Sequence, residues 1–192
     1  MTLRHAPDAR EVEQLGERGW FVRDGFLGAS LARAVRAEAP AVELRRAAIR
    51  KARELDDAVR TDEIAWVEEQ QGALGQARAC FEALRDGVNQ AAFLGLRGFD
   101  LQLARYAPGG QYVRHRDAFP GSENRRLTAI VYLNDGWVPA NGGALELFVD
   151  PAPVVVEPVL DRLVVFLGER IEHAVQPCHA ERWALTAWFG AR

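Results

Sequence analysis

The chain contains 192 residues, of which 48% are hydrophobic, and it carries a formal net charge of −3 at pH 7. This length supports one substantial hydrophobic core, so we expect a single domain over residues 1–192. The slightly acidic balance argues against binding of nucleic acid or anionic lipid through overall charge, and no apolar run approaches the length of a membrane-spanning helix.

The first residues lack the apolar core of a secretory signal, so we expect a cytoplasmic location. Cys80 and Cys178 are isolated cysteines without a CxxC pairing. In a cytoplasmic chain such cysteines are expected to be reduced and buried.

The first hundred residues favour helices. Glu11–Arg18 is a short helix candidate, and Trp20–Leu27 is predicted as a short strand that leads into a turn. Ser30 is a favoured N-cap residue for a helix that continues to about Ala39, where Pro40 interrupts the pattern.

The next segments mix helix and strand patterns. Residues 41–60 are rich in helix-forming and charged residues with sparse apolar positions, which favours a solvated amphipathic helix. Residues 62–68 (DEIAWVE) are typical of a strand. Between about Ala73 and Leu94, apolar residues recur at helical spacing.

After Gly98 the pattern changes to short β-type segments separated by turn-rich pieces. The predicted strands are DLQLARY, QYVRHRD, RLTAIVYLN, ALELFV, PVVVEP, RLVVFLG, HAVQP and RWALTAWF. This order predicts an α+β protein in which residues 1–98 provide helical support and residues 99–192 form an antiparallel sandwich or barrel. The helices would pack on one sheet.

Strand alternation places candidate functional residues on particular faces, because residues i and i+2 point to the same side. In QYVRHRD, alternation puts Val113, His115 and Asp117 on one face and Arg114 and Arg116 on the other. A histidine and a carboxylate on one face of a rigid strand have the geometry of a chelate.

Two further strands carry polar or aromatic groups on one face and apolar groups on the other. Thr128, Ile130 and Tyr132 lie opposite the apolar face of RLTAIVYLN. Thr186 and Trp188 share a face of RWALTAWF with Arg182. Such strands are typical of a lined cavity, although a half-exposed sheet edge would show the same alternation.

His173, just after RLVVFLG, is a third donor candidate. Two histidines and one carboxylate form the facial triad that holds Fe(II) and leaves positions open for substrate and oxygen. His-X-Asp with a later histidine also occurs by chance, but Arg182 makes the metal-site interpretation stronger. A guanidinium in a pocket is the natural bidentate partner for a carboxylate ligand, and Thr186 and Tyr132 could add hydroxyl hydrogen bonds.

The ordered motifs YAPGGQYVRHRD, RLTAIVYLNDGW, NGGALELF, DRLVVFLGERIEHAVQP and ERWALTAWF resemble the Fe(II)/2-oxoglutarate-dependent oxygenases. They are most similar to the prolyl hydroxylases of the type that modifies hypoxia-inducible factor. The resemblance runs from about Phe99 to Phe189, with weaker similarity in RGWFVRDGFLG and TDEIAWVE. It implies a double-stranded β-helix, or jelly-roll, core with N-terminal helices packed on the major sheet.

The resemblance also implies the roles of individual residues. The iron ligands would be His115, Asp117 and His173, and Arg182 would bind the distal carboxylate of 2-oxoglutarate. The other residues implied at the 2-oxoglutarate pocket are Tyr132, Tyr106, Leu145, Thr186 and Trp188.

The implied reaction is hydroxylation of a prolyl residue, at the 4-position, in a protein substrate, with succinate and CO2 as coproducts. Fe(II), 2-oxoglutarate and O2 would be required, with ascorbate as an accessory reductant. The resemblance further implies a mobile, substrate-covering loop over roughly residues 43–61, and a target proline in a loop of a translation component.

Three other functions remain open at this point. A related oxygenase could hydroxylate a small molecule or a free amino acid. A nucleic-acid demethylase of the same superfamily tends to carry a second arginine six positions after the first, where this chain has Trp188. A non-catalytic jelly-roll binding module would not need the three metal-ligating residues together with Arg182.

Overall fold

The computed structural model describes residues 5–47, 59–68, 71–118 and 125–191. Asp8 begins the first helix with a capping box, in which its side chain accepts a hydrogen bond from the backbone N–H of Glu11. Within the described residues the helices are α1 (Ala9–Glu17), α2 (Ala29–Glu38) and α3 (Gly72–Ala92), with 3-10 turns at Ala39–Ala41 and Pro139–Asn141. None of these helices is both long and apolar enough to cross a membrane.

Short strands dominate the second half of the chain, as the alternating segments predict. The strands are β1 (Trp20–Asp24), β2 (Arg45–Arg46), β3 (Glu63–Trp66), β4 (Gly98–Tyr106), β5 (Tyr112–His115), β6 (Leu127–Tyr132), β7 (Leu145–Phe148), β8 (Val154–Val156), β9 (Arg162–Leu167), β10 (Glu172–Val175) and β11 (Arg182–Gly190).

The strands form two antiparallel sheets. The larger has seven strands in the order β1-β9-β6-β11-β4-β3-β2, and the smaller has four in the order β5-β10-β7-β8. Strands β6 and β11 lie at the centre of the larger sheet and pair over most of their length, for example Thr186 with Ile130. The central strands are therefore held on both sides by backbone hydrogen bonds, which makes them rigid supports for a site.

Each face of the larger sheet has its own core. On one face, Leu127, Val131, Leu185 and Phe189 pack with apolar residues of the three helices. On the other face, Ile130, Tyr132 and Ala184 pack with residues of the smaller sheet, such as Leu145 and Leu147. The alternation predicted for β6 and β11 is confirmed, and so is the α+β arrangement with helices on one sheet.

Two predictions about the helical half are wrong. Ser30 does not cap α2: it lies exposed inside the helix, which follows Gly28. Instead, the carboxylate of Asp161 accepts hydrogen bonds from the amides of Leu27 (2.6 Å) and Gly28 (2.8 Å). The two amides just before α2 are thus satisfied by a residue more than 130 positions away in the sequence. A local N-cap pattern cannot reveal such a contact.

The amphipathic helix predicted over residues 41–60 is also wrong wherever the structure describes this segment. Arg45–Arg46 form β2, which pairs with β3, and the partly buried Val42 and Leu44 pack against the helix-side core. At the other end, Arg60 forms a bridge with Tyr112 of β5. Pairing with β3 therefore satisfies the backbone hydrogen-bonding groups of Arg45 and Arg46 in place of helical hydrogen bonds. Residues 48–58, the middle of the predicted covering loop, lie outside the described residues.

Candidate active site

Three side chains with metal-ligating atoms converge between the two sheets. His115 ends β5, His173 lies opposite it on β10, and Asp117 follows β5 by two residues. One ligand atom from each lies within 4.8 Å of the others. The Nε2 atoms of His115 and His173 are 3.8 Å and 3.9 Å from the two carboxylate oxygens of Asp117. The structure therefore brings together the three residues that the sequence nominates as ligands.

The protonation states of these groups suit a divalent metal. Nδ1 of His115 lies 2.9 Å from the carbonyl oxygen of Val113, so we assign the ring proton to Nδ1 and the lone pair to Nε2. Burial, together with the neighbouring ring of His173, lowers the pKa of His115 to about 4. Burial opposes ionisation of Asp117, but His173, His115 and Thr128 outweigh it, so the pKa of this carboxyl is lowered. At neutral pH the site thus offers a neutral His115 and a carboxylate.

Aromatic side chains fix the two imidazole rings. Tyr112 stacks on His115 with ring centroids 3.6 Å apart, and Phe166 contacts His173 at 4.7 Å. The guanidinium of Arg60 lies 4.5 Å from the centre of the Tyr112 ring and binds the carboxylate of Asp62 with two hydrogen bonds of 2.7 Å and 2.6 Å. None of these supporting contacts was predicted from the sequence.

The predicted face of β5 is partly wrong. The pairing of β5 with β10 is irregular between His115 and Tyr112, and Val113 is 40% exposed. Tyr112, which strict alternation puts opposite His115, lies against its ring instead. Arg114 and Arg116 do point outward, where both make salt bridges with Glu172. A β-bulge shifts side-chain direction by one residue, so alternation fails where pairing is irregular.

Arg182 provides a buried positive charge on the same side of the larger sheet. It is 2% exposed, and its Nε donates a hydrogen bond of 2.8 Å to the carbonyl oxygen of Gly143. Its guanidinium carbon lies 5.1 Å and 4.9 Å from the ring centres of Tyr106 and Tyr132. None of the salt bridges among the described residues includes Arg182. A buried guanidinium without a carboxylate partner is costly, which indicates a site for an anionic ligand.

Tyr132 adds a hydrogen-bonding group beside this charge. Its hydroxyl is buried and forms no hydrogen bond within the described part of the chain. Burial raises the pKa of Tyr132 to about 12, although the positive charge of Arg182 opposes the shift. The pKa of Tyr106 is also raised by burial. Both phenols therefore stay protonated at neutral pH, and Tyr132 can donate to an anion.

The remaining predicted pocket residues lie on β7 and on β11, the strand that carries Arg182. Leu145 is buried on β7, and its neighbour Gly143 approaches the Arg182 side chain so closely that a Cβ there would lie 3.0 Å from Cδ. Thr186 and Trp188 follow Arg182 on the same face of β11 and are each 9% exposed. Nε1 of Trp188 is buried without a hydrogen-bond partner among the described residues.

The residues present fit the cofactors that the resemblance implies. Two imidazoles and one carboxylate, with no thiolate among them, match the ligand preference of non-haem Fe(II). Cys80 and Cys178 are buried and do not belong to this group of three ligands. A buried cation and an unsatisfied phenol are the complement of a carboxylate group. The residue types present therefore suit a ferrous ion and a dicarboxylic acid.

Comparison with known proteins gives consistent matches. The family model described as the 2OG-Fe(II) oxygenase superfamily matches residues 101–190. Prolyl hydroxylase EGLN3 of Mus musculus is 42% identical over 85 residues, which are 42% of this chain and 35% of the mouse protein. The match thus spans about a third of that relative's length.

Two solved structures are similar over nearly the whole chain. The crystal structure of a Pseudomonas putida prolyl-4-hydroxylase has a TM-score of 0.87 and 39% identity, with 96% of this chain and 98% of that chain covered. A Trichoplax adhaerens prolyl hydroxylase, in complex with a peptide fragment of the hypoxia-inducible factor oxygen degradation domain, has a TM-score of 0.83 and 28% identity over 94% of this chain and 87% of that chain. These matches confirm the predicted double-stranded β-helix core.

Proposed function

We propose that this chain, which belongs to the 2OG-Fe(II) oxygenase superfamily, hydroxylates a prolyl residue of a protein substrate, at the 4-position. The observation that carries the proposal is the presence, on the same side of the larger sheet, of three converging side chains with metal-ligating atoms and the buried charge of Arg182. The similar proteins named prolyl hydroxylase support the choice of a prolyl target.

In this proposal His115, Asp117 and His173 hold the ferrous ion. Nε2 of each imidazole and one oxygen of Asp117 are the ligand atoms, since they are the atoms that converge. Three protein ligands leave coordination positions open, as an oxygenase requires. When bound, iron, 2-oxoglutarate and O2 supply the oxidising chemistry, and succinate and CO2 are the coproducts.

The role proposed for Arg182 is to bind the distal carboxylate of 2-oxoglutarate through its terminal N–H groups, since Nε is already used by Gly143. Tyr132 would donate a second hydrogen bond to the same carboxylate. The proposed lining residues of this pocket are Tyr106, Leu145, Thr186 and Trp188. Because Arg182 and Tyr132 are buried, their bonds to a carboxylate would be little screened by water.

The proposed substrate is a protein with the target proline in an exposed loop, and we include a translation component as the target class. Trp66, which is 48% exposed, contacts Trp188 with ring centroids 6.0 Å apart. This pair places exposed apolar area beside Trp188, one of the proposed pocket residues, and such area suits a proline ring. The proposal also includes a cytoplasmic location and ascorbate as a reductant that keeps iron ferrous.

The test is to incubate cell extract with the purified protein, Fe(II), 2-oxoglutarate and ¹⁸O₂, and to map labelled oxygen by peptide mass spectrometry. We expect label on one or a few proline residues, identified as 4-hydroxyproline after hydrolysis. Reactions with the His115→Ala variant, or without 2-oxoglutarate, are the controls and should leave the peptides unlabelled. Label found only on free metabolites or free amino acids would contradict a protein substrate.

A further inference from the structure

The carboxylate of Asp117 is held by a hydroxyl group from the opposite sheet. Thr128, on β6, donates a hydrogen bond of 2.7 Å from Oγ1 to Oδ2 of Asp117. Thr128 is completely buried, and its strand pairs with β9 on one side and β11 on the other. The donor therefore belongs to a central strand that is paired on both sides.

Asp117 needs such a contact more than the two histidines do. His115 and His173 are partners on paired strands, and Tyr112 and Phe166 pack against their rings. Asp117 lies beyond the last residue of β5, where strand pairing has ended. The orientation of its carboxylate must then come from side-chain contacts, and Thr128 supplies the shortest one at 2.7 Å.

The surroundings leave the Thr128 hydroxyl little freedom. A Cβ atom at Gly168 would lie 3.3 Å from Oγ1 of Thr128 and 2.5 Å from the carbonyl oxygen of Arg125. The backbone at Gly168 therefore passes close to the Thr128 hydroxyl and limits the space around it. An ionised carboxylate only accepts hydrogen bonds, so the single hydroxyl proton points to Asp117.

The two oxygens of Asp117 consequently differ. Oδ2 accepts the hydrogen bond of Thr128 and lies 3.9 Å from Nε2 of His173. Oδ1 lies 3.8 Å from Nε2 of His115 and 3.9 Å from a terminal nitrogen of Arg125. A carboxylate with one oxygen engaged by a strong donor favours ligation through the other oxygen.

We propose that Thr128 is a positioning residue for the metal site: its hydroxyl holds Oδ2 of Asp117 and so presents Oδ1 to the metal as a single-oxygen ligand. This inference rests on the proposed role of Asp117 as a metal ligand. Its consequence is that the third ligand occupies one coordination position, and the positions needed by cosubstrate and oxygen stay open.

The test measures binding of Co(II) to the metal-free protein, by titration and by the visible absorption spectrum of the bound ion. Thr128→Val removes the hydroxyl at constant volume, and Thr128→Ala removes it without adding a methyl group. Both variants should raise the dissociation constant for Co(II) by about 10-fold or more and change the Co(II) absorption bands. Thr128→Ser keeps the hydroxyl and should restore wild-type affinity and spectrum.

Thr61→Val is the matched control, because Thr61 also uses its hydroxyl in hydrogen bonds, at 2.9 Å and 3.3 Å to the backbone of Gln111, but none reaches a metal ligand. This variant should bind Co(II) as the wild type does. Folding of every variant is checked by circular dichroism and thermal unfolding of the metal-free protein.

Three results would overturn the proposal. The first is that Thr128→Val and Thr128→Ala are folded and bind Co(II) with wild-type affinity and a wild-type absorption spectrum. The second is that both variants fail to fold, which would give the hydroxyl a role in folding instead. The third is no Co(II) binding by the wild type, which would also remove the metal site assumed here. Wild-type Co(II) binding without any prolyl hydroxylation would contradict the proposed function alone and leave the role of Thr128 standing.

Discussion

Replacing Arg182 by methionine should weaken 2-oxoglutarate binding without destabilising the protein. Nε of Arg182 is bound to Gly143, so two terminal NH2 groups remain for a carboxylate. Hydrogen bonds between charged groups contribute about 1.5–3 kcal/mol each, and a total loss of about 3 kcal/mol corresponds to roughly 100-fold in affinity. Arg182→Lys keeps the charge but loses the planar pair of donors, so we expect a loss of roughly 10-fold.

The stability of the same variant provides a second, independent readout. In the protein without 2-oxoglutarate, Arg182 is a buried cation with no carboxylate partner among the described residues. Methionine fills similar volume without the cost of desolvating a charge, so the free energy of unfolding of Arg182→Met should be at least that of the wild type. Added 2-oxoglutarate should raise the melting temperature of the wild type and not that of the variant.

The assay is succinate production as a function of 2-oxoglutarate concentration, combined with thermal unfolding with and without the keto acid. We expect the KM for 2-oxoglutarate to rise much more than kcat falls. Arg105→Met is the matched control, since Arg105 makes salt bridges with Glu63 and Glu181 and should leave the KM unchanged. An unchanged KM in Arg182→Met, with an unchanged melting shift on ligand addition, would refute the assigned role.

Two further predictions concern the metal site and the fold. The variants His115→Ala and Asp117→Ala should lose both metal binding, measured with Co(II) or Fe(II), and succinate production. Their circular dichroism spectra should stay close to that of the wild type. Full succinate production by either variant would contradict the ligand assignment. Asp161→Ala should lower the free energy of unfolding by about 2–4 kcal/mol in urea denaturation, because the amides of Leu27 and Gly28 lose a charged acceptor. A loss below about 0.5 kcal/mol would show that water replaces the carboxylate.

Local patterns were sufficient wherever strand pairing is regular. The two faces of β6 and β11 follow directly from alternation, so Tyr132, Arg182 and Thr186 were predicted on the correct side. Alternation failed at Val113, because irregular pairing changes the direction of side chains without any change in composition. Helix propensity failed at residues 41–47, where pairing of β2 with β3 outweighs a weak local preference.

The amino-acid sequence by itself predicted which three side chains with metal-ligating atoms converge and which cation is buried, because ordered motifs and two-residue periodicity are local properties of the chain. Only the tertiary structure revealed what holds them in place: Thr128 on Asp117, Tyr112 on the ring of His115, and Asp161 on the amides before α2. Contacts such as those of Thr128 and Asp161 join residues 11 to 134 positions apart. A hydrogen bond over such a separation depends on how two sheets and a helix pack, and no local pattern encodes that packing.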